Sequence, residues 1–474
     1  MVIRLRAFVA LALIALFLVC QANSPVVAAA DQSPESQAVE RLRSIGSPSA
    51  AVAVVERDAR PRQAFADSGA QTPFLVGSLS KSFTALAAMR LVDSGRLRLD
   101  DTVRSRLPSF TLADGAGAGI TVRQLLTHTS GIGRLDGLER ADIVDDAPCK
   151  AASLVRSLSS ATLRHTPGSK YEYSDANYLV LGEVVAAAYG APYPRALRAL
   201  VLDPLGMTET ITTPQEARAA GLSAGHRWAW GGARDFDLPY VASGLAYGYV
   251  ASTITDLTRY ARAELTRDPK LLSAGSWRLM QSAQVRTGPT QSYGFGWRIT
   301  QLSGLDRPVI EHTGATPGSF AHLLISPDTG RAVVVLADVY SEALAPALAQ
   351  VGPDVLRRLA GSPAEPGGID PVLRWLPWAL AGLAAALLAA AAFLTLRRVG
   401  GAAGRWVRTG VGVLAALAAV LAWLAPSMLL GVDWQIVRLW SPDVAQALIA
   451  LLVVGVLATA AMVFSVLRGV RSAA

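Results

Sequence analysis

Apolar residues form three long runs in the C-terminal part of this chain. The runs cover residues 376–396, 411–430 and 447–467, and none of them contains Asp, Glu, Lys or Arg. Each run has about the 20 residues that a helix needs to cross a bilayer. A buried helical hairpin is the alternative for any one run, but three charge-free runs in succession favour the membrane. The sequence therefore predicts a three-helix transmembrane anchor over residues 372–474, with the lipid bilayer as a partner.

Shorter apolar patterns fill residues 31–360 and predict a globular domain of mixed helices and strands. The run at 51–55 is typical of a buried strand, and residues 79–91 have a helical pattern that Gly95 should end. A segment rich in Pro and Gly, residues 361–371, follows this domain and is predicted to be a linker.

The N-terminus has the pattern of a secretory signal peptide. Arg4 and Arg6 precede an apolar run at 7–19, and the alanines at 28–30 offer small residues for cleavage. We therefore expect residues 1–30 to be removed on export. An uncleaved anchor helix is the alternative.

Composition and charge narrow the possible functions. The chain is 51% apolar, which fits membrane segments. Its net charge of +8 does not indicate nucleic-acid binding, because much of the arginine flanks the apolar runs and no lysine-rich run occurs. Arginine is concentrated between the first two runs and after the third, and positive residues favour the cytoplasmic side. We expect a multi-pass plasma-membrane protein with a cytoplasmic C-terminus and a periplasmic or extracellular globular domain.

Lysine is rare in this chain, and one lysine stands close to a serine. Four lysines accompany 40 arginines, and Lys81 lies three residues after Ser78. A buried lysine is able to lose its proton whereas arginine is not. A neutral Lys81 one helical turn from Ser78 would therefore be a base beside a nucleophile. Taken alone, the motif also fits a solvated surface lysine.

A second segment, Tyr173-Ser174-Asp175, precedes a helical pattern that begins at Tyr178. Asp175 is a candidate N-cap of that helix, a role that would not exclude catalysis nearby. Tyr173 is a candidate for proton transfer, and an aromatic core position is the alternative.

A third segment, His312-Thr313-Gly314, is predicted to lie at the edge of a strand. Gly314 has no side chain to obstruct a substrate backbone alongside it, although a single histidine is more often structural. The five histidines show no metal-ligand spacing. We expect neither a metal nor a cofactor.

In this order the three motifs resemble those of the serine β-lactamase and penicillin-binding-protein superfamily. The resemblance is closest to the branch with class C β-lactamases, D-alanyl-D-alanine carboxypeptidases and related peptidases and esterases. Residues 125–132 and 293–297 are also similar to that branch. The resemblance implies an α+β, β-lactamase-like fold, in which an antiparallel sheet flanked by helices lies beside an all-helical half. Three transmembrane helices would follow it here.

The resemblance also implies a role for each matching residue. Ser78 corresponds to the nucleophile that forms an acyl-enzyme, and Lys81 and Tyr173 correspond to its proton-transfer partners. How those two divide the role of base stays open. The oxyanion hole would be the amides of Ser78 and Ala315. The substrate-binding positions would be Asp175, His312, Thr313 and Gly314.

Two departures from the family pattern narrow the expected activity. Asp175 stands where asparagine is common, and an ionised aspartate accepts hydrogen bonds but does not donate them. His312 stands where lysine is common. A lysine there would supply a fixed positive charge that binds a substrate carboxylate, and histidine supplies that charge less well. We therefore expect a peptidase, amidase or esterase, acting on a small-molecule or peptide substrate, more than a β-lactamase.

An exported domain followed by three spans is also similar to the membrane-bound peptidases that mature nonribosomal-peptide prodrugs, of the colibactin-maturing type. The leading expectation is a membrane-anchored, extracytoplasmic serine hydrolase, most simply a peptidase or amidase. One alternative is a penicillin-binding or β-lactam-sensing protein that stays acylated, which the short predicted cytoplasmic loop disfavours. Another is a non-catalytic binding module, which the intact motifs disfavour.

Overall fold

The structure is a computed structural model that describes residues 33–142, 150–237, 239–327, 329–365, 367–397 and 401–471. The predicted signal peptide, residues 1–30, lies outside the described residues. All the elements below belong to one compact unit that begins at Pro34.

Among the described residues, strands are outnumbered by α-helices. Those of the globular part are α1 (Pro34–Ile45), α2 (Ser80–Asp93), α3 (Val103–Arg106), α4 (Val122–Leu126), α5 (Arg134–Leu138), α6 (Lys150–Ser157), α7 (Asp175–Tyr189), α8 (Tyr193–Leu197), α9 (Asp203–Leu205), α10 (Pro214–Ala219), α11 (Ile254–Thr266), α12 (Ala274–Met280) and α13 (Ala345–Leu359). The C-terminal helices are α14 (Pro371–Leu396), α15 (Gly401–Ala425), α16 (Trp434–Trp440) and α17 (Pro442–Arg471).

An antiparallel sheet of eight strands lies at the centre of the described globular part, in the order β2-β1-β12-β11-β10-β9-β8-β7. The strands are β1 (Ala50–Glu56), β2 (Arg62–Ala66), β3 (Phe74–Leu75), β4 (His226–Ala229), β5 (Gly232–Asp235), β6 (Ala251–Ser252), β7 (Val285–Arg286), β8 (Gln291–Tyr293), β9 (Arg298–Thr300), β10 (Val309–Thr316), β11 (Ser319–Ser326), β12 (Arg331–Ala337) and β13 (Val339–Tyr340). The antiparallel sheet, the flanking helices and the separate helical half confirm the predicted fold class.

Both faces of the sheet are covered, which explains why β1 and β12 are apolar except at one end residue each. Successive side chains of a strand point to opposite faces. In β1, Ala51 and Ala53 enter the core shared with α2 and α7, whereas Val52 and Val54 enter the core shared with α1 and α13. A strand buried on both faces has no polar side to alternate with.

The helix α2 runs through the middle of the larger core. Its residues are buried almost all round, from Ser80 to Met89. Small side chains such as Ala85 and Ala88 let neighbouring elements approach it closely. A helix enclosed in this way holds the residues at its N-terminus in a fixed position, and Ser78 lies two residues before its first residue.

Three of the C-terminal helices are long and apolar enough to cross a membrane, as predicted: α14, α15 and α17. Their large apolar side chains point outward, and small residues such as Ala415 and Ala458 lie between the helices. At Gly455 a β-carbon would lie 2.7 Å from the carbonyl oxygen of Ala415, so glycine permits close packing of α15 and α17. Among the described residues, α15 begins ahead of its apolar run.

The predicted linker has no helix or strand among its described residues before α14, but it is bound to the domain. The amide of Asp370 donates to the carbonyl of Ala343 (2.8 Å), and the Glu365 carboxylate pairs with Arg357 (3.0 Å). This segment therefore attaches α14 directly to the globular part. The proposed domain boundaries stay a prediction.

Candidate active site

Ser78 lies in a tight turn, Gly77–Leu79, that leads into α2. Two glycines allow this turn to touch β10. A β-carbon on Gly77, whose φ is +53°, would lie 2.2 Å from the amide nitrogen of Ala315, and one on Gly314 would lie 1.9 Å from the carbonyl oxygen of Val76. The segments that carry the Ser78 and Ala315 amides are thus in contact, while the oxyanion hole itself stays a prediction.

Lys81 is completely buried beneath Ser78, so the interpretation as a solvated surface lysine is wrong. Its Nζ donates to Ser78 Oγ at 3.0 Å and to the carbonyl oxygen of Tyr247 at 2.7 Å. Asp175 Oδ1 lies 2.6 Å from the same nitrogen. Three oxygens thus lie within 3.0 Å of the amine, one of them on the candidate nucleophile, and Tyr173 is a further hydrogen-bond partner.

The charge of Lys81 corrects one expectation from the sequence. Burial by itself lowers the pKa of this amine, but the charges and hydrogen bonds of Asp175 and Tyr173 raise it above its ordinary value. The resting amine is therefore protonated rather than neutral. The largest of the influences that raise this pKa is Asp175, which stands where the family pattern commonly has asparagine.

Asp175 is the first residue of α7, and the proposed N-cap role for it is wrong. Ser174 occupies the N-cap position, and its side chain makes no capping hydrogen bond. The Asp175 side chain is 20% exposed and lines the cavity in front of Ser78. Its carboxylate faces Lys81, so it is as much a partner of the lysine as a candidate contact for substrate.

Tyr173 extends from the segment before α7 to the same cavity. Its ring centre lies 4.9 Å from Lys81 Nζ and 4.4 Å from the ring of His128. The half-buried ring is thus packed on one side and open to the cavity on another. This position is compatible with proton transfer, which stays a prediction.

The strand β10 presents a free edge to the cavity, as the sequence predicts. It pairs with β9 only over residues 309–311, whereas its pairing with β11 continues to Thr316. Thr313, Gly314 and Ala315 line the cavity. An extended substrate is therefore able to lie along this edge.

His312 does not line the cavity. Its side chain is fully buried, with Nε2 3.2 Å from Tyr293 Oη and Nδ1 2.6 Å from the carbonyl oxygen of Thr313. Burial, together with the charges of Arg298 and Lys81, holds the pKa of His312 well below its usual range. The imidazole is therefore neutral, and it lies behind the strand without lining the cavity. Its assignment to substrate binding stays a prediction.

Arg298 is a cavity residue that the motifs did not identify. It lies on β9 opposite Glu311, and its guanidinium donates to Thr313 Oγ1 at 2.7 Å. Burial acts to lower the pKa of Arg298, but Glu311 and the nearby tyrosines raise it further above its usual range. The fixed positive charge that His312 does not supply is thus present on the neighbouring strand. The sequence feature that could have identified Arg298 is its position directly after residues 293–297, a segment that resembles the family.

The cavity formed by these residues has a volume of about 660 Å³. This size is in the range of pockets that enclose small organic ligands. Over the described residues, no group of three or more His, Cys, Asp or Glu side chains is arranged to hold a metal ion. The arrangement combines a hydroxyl, a buried ammonium, a carboxylate and a guanidinium around one space.

Replacement of Asp175 by asparagine should shift the pH dependence of hydrolysis. Removal of the carboxylate leaves burial as the dominant influence, so the pKa of Lys81 should fall below its present raised value. If a neutral Lys81 is needed in the reaction, the acid limb of kcat/KM should move to lower pH by about one unit or more. Measurement of kcat/KM from pH 5 to pH 10 tests this, with Glu172→Gln as a control beside the motif. An acid limb that stays in place would contradict it.

Known proteins resemble this chain in sequence and in fold. A family model described as Beta-lactamase matches residues 35–350. Penicillin-binding protein 4 of Amycolatopsis lactamdurans is 31% identical over 322 residues, which cover 63% of this chain and 82% of that protein. Esterase EstB of Burkholderia gladioli is 40% identical over 194 residues, or 36% of this chain and 48% of that protein. A D-stereospecific amidohydrolase structure from Streptomyces sp. has 27% identity and a TM-score of 0.55, and the match covers 65% of this chain and 94% of that one.

Proposed function

The chain belongs to the beta-lactamase family of serine hydrolases, and we propose that it is a membrane-anchored peptidase or amidase that forms an acyl-enzyme on Ser78. The observation that carries this proposal is the 3.0 Å contact between Lys81 Nζ and Ser78 Oγ beside an open cavity. A hydroxyl becomes a useful nucleophile when a proton acceptor lies within hydrogen-bond reach.

The proposed reaction begins when Ser78 Oγ attacks the substrate carbonyl. A bond forms between Oγ and the carbonyl carbon, and the Ser78 proton passes to the group formed by Lys81, Tyr173 and Asp175. Lys81 donates to Ser78 in the resting protein, so it has to release a proton before it accepts one. Asp175, at 2.6 Å, is the nearest carboxylate that could take it. The leaving amine receives a proton as its bond to the carbonyl carbon breaks.

The negative oxygen that develops on the substrate would accept hydrogen bonds from the amides of Ser78 and Ala315. Loss of one such donor typically raises the barrier by about 2.7–4 kcal/mol. Water then attacks the acyl carbon and gives a proton to the same group of side chains. The bond between that carbon and Ser78 Oγ breaks, Oγ regains a proton from the group, and the acid product leaves. The same set of groups therefore serves both halves of the reaction.

Arg298 favours a substrate that carries a carbonyl or carboxylate oxygen next to the scissile bond. Its guanidinium lines the cavity and is anchored by Thr313, on the free edge of β10. A planar cation held in this way recognises oxygen pairs better than a lysine would. The names of two relatives, an esterase and an amidohydrolase, support acyl transfer from esters or amides.

The proposed location places the globular domain outside the cytoplasm and the C-terminus inside. The three long apolar helices support association with a membrane. The arginines between α14 and α15 and after α17 support this orientation. The signal pattern in residues 1–30 supports the same side for the globular domain.

A substrate panel tests the proposed function. The full chain, purified in detergent, is incubated with peptide amides of both configurations, D-Ala-D-Ala peptides, short esters and a chromogenic cephalosporin, and products are identified by mass spectrometry. We expect repeated turnover of amides or peptides. A single burst of covalent labelling without turnover would indicate the penicillin-binding or sensing alternative. If the protein shows no turnover and no covalent labelling, both the hydrolase proposal and the sensing alternative are contradicted.

A further inference from the structure

The cavity that contains Ser78 continues to the ends of the membrane helices. Polar side chains, among them Asp175 and Arg298, surround its inner end. The lining that α14, α16 and α17 contribute is apolar, and Ser441, between α16 and α17, lies beside it. The residues of this apolar compartment are Leu373, Leu376, Ile436, Val437, Trp440 and Val444.

The short helix α16 is fixed to the rim of the globular part. Trp440 Nε1 donates to Asp142 Oδ2 at 2.9 Å, and the other oxygen of that carboxylate accepts from Tyr249 Oη at 2.5 Å. The Trp440 ring also packs edge-on against Tyr340, with ring centres 5.6 Å apart. Val437 and Trp440 are therefore held in front of the cavity.

A second set of contacts holds α14 and α17. Trp230 donates its amide to Asp443 Oδ2 (3.2 Å) and its indole Nε1 to Gln446 Oε1 (2.7 Å). Its ring packs edge-on against Trp378 of α14, with ring centres 4.9 Å apart. Specific contacts thus fix the position of the apolar compartment relative to Ser78. Helices joined to the domain only by a flexible linker would lack such contacts.

An apolar space of this kind favours an apolar occupant. Water in it would find few hydrogen-bond partners, and burial of hydrocarbon there is favourable. Leu373, Leu376 and Val444 lie in the first two turns of helices long enough to span a bilayer. If those helices cross a bilayer, the compartment lies at the end where they leave it. A hydrocarbon chain is able to pass from the bilayer into such a space without crossing bulk water.

We propose that the membrane helices form part of the substrate site and that the substrate is an amphiphile with a hydrocarbon chain. The acyl-transfer centre of the substrate meets Ser78, and the chain lies in the apolar compartment between α14, α16 and α17. This inference rests on the proposed hydrolase function. It adds a substrate class, and it gives the helices a role in recognition as well as in attachment.

A chain-length series tests the inference with the full chain in detergent micelles. The substrates are 4-nitrophenyl esters from acetyl to dodecanoyl, and the Ser78→Ala protein supplies the background rate. For the wild type, kcat/KM should rise by about fourfold per added methylene until the compartment is filled. Partition of long esters into micelles contributes to that rise, so the decisive result is the comparison of variants.

Val444→Trp places a bulky ring in the compartment, and Val453→Trp makes the same change on α17 at a position that is 50% exposed. Val444→Trp should reduce the ratio of octanoyl to acetyl rates by roughly tenfold or more, the loss expected when two methylenes are displaced. Val453→Trp should leave that ratio as in the wild type. Leu376→Trp, paired with the exposed control Leu388→Trp on α14, repeats the test if Val444→Trp fails to fold.

Equal ratios in the wild type, Val444→Trp and Leu376→Trp would overturn the inference. Its failure is distinguishable from that of the proposed function. Short esters could be hydrolysed by a Ser78-dependent reaction while the octanoyl-to-acetyl ratio is the same in the wild type and the compartment variants. In that case only the proposal of an amphiphilic substrate is wrong. If neither an ester nor a peptide amide is hydrolysed above the Ser78→Ala background, the proposed function is at fault.

Discussion

Ser78→Ala should abolish covalent labelling by a fluorescent penicillin or a fluorophosphonate and reduce turnover by roughly 10⁵–10⁶-fold. Alanine removes the Oγ that lies 3.0 Å from Lys81 Nζ, and with it the atom that would form the acyl bond. The neighbouring hydroxyls cannot take its place. Ser80 and Ser82 are fully buried and donate to the carbonyls of Gly77 and Leu79.

The measurement compares labelled protein on a gel with product release by mass spectrometry. Ser169→Ala is a matched control, because Ser169 is exposed and bonds only to a local carbonyl, that of Thr166. Thermal unfolding of each variant shows whether the fold is retained. Equal labelling of the wild type and Ser78→Ala would mean that another residue is the nucleophile.

Lys81→Met should lower kcat/KM by roughly 10²–10⁴-fold, the range in which general acid–base groups contribute. Methionine has a similar length but neither accepts nor donates a proton usefully. Lys81→Arg should be nearly as inactive, because arginine keeps its proton. Its guanidinium is also larger than the amine of Lys81, which is fully buried. Lys270→Met, at an exposed position, is the control and should retain wild-type activity.

Stability has to be separated from catalysis in this prediction. Loss of the Lys81 charge leaves Asp175 without its buried partner, an arrangement that typically costs about 3–5 kcal/mol. The double variant Lys81→Met/Asp175→Asn removes both charges and should recover much of the melting temperature. It should stay inactive. A well-folded Lys81→Met protein with activity close to the wild type would show that Lys81 does not transfer protons.

Local patterns in the sequence were sufficient for several elements. The strand predicted at 51–55 lies within β1, and the helix predicted at 79–91 corresponds to α2. The three apolar runs correspond to α14, α15 and α17. These predictions depend on periodicity within a few consecutive turns or pleats, which the chain carries without reference to distant residues. The start of α7 was placed three residues late, since Asp175 and Ala176 have no periodic apolar signal.

The charge of Lys81 could not be predicted in the same way. A motif identifies a lysine near a serine, but its protonation depends on whether a carboxylate from another element lies beside it. Asp175 is distant in the sequence and is brought to 2.6 Å by the packing of α7 against α2. Arg298 likewise reaches the cavity only because β9 pairs with the beginning of β10.

By itself, the sequence identified Ser78, Lys81 and Tyr173 as candidates for the chemistry and showed which segments are apolar enough to span a membrane. Both are properties of residue type and short-range spacing. Only the tertiary structure decided that Asp175 lies against the lysine and raises its pKa, that His312 lies behind the strand, and that the space before Ser78 extends to the ends of the membrane helices. Those outcomes depend on burial and on contacts between distant residues, such as Trp440 with Asp142, which arise when the chain packs.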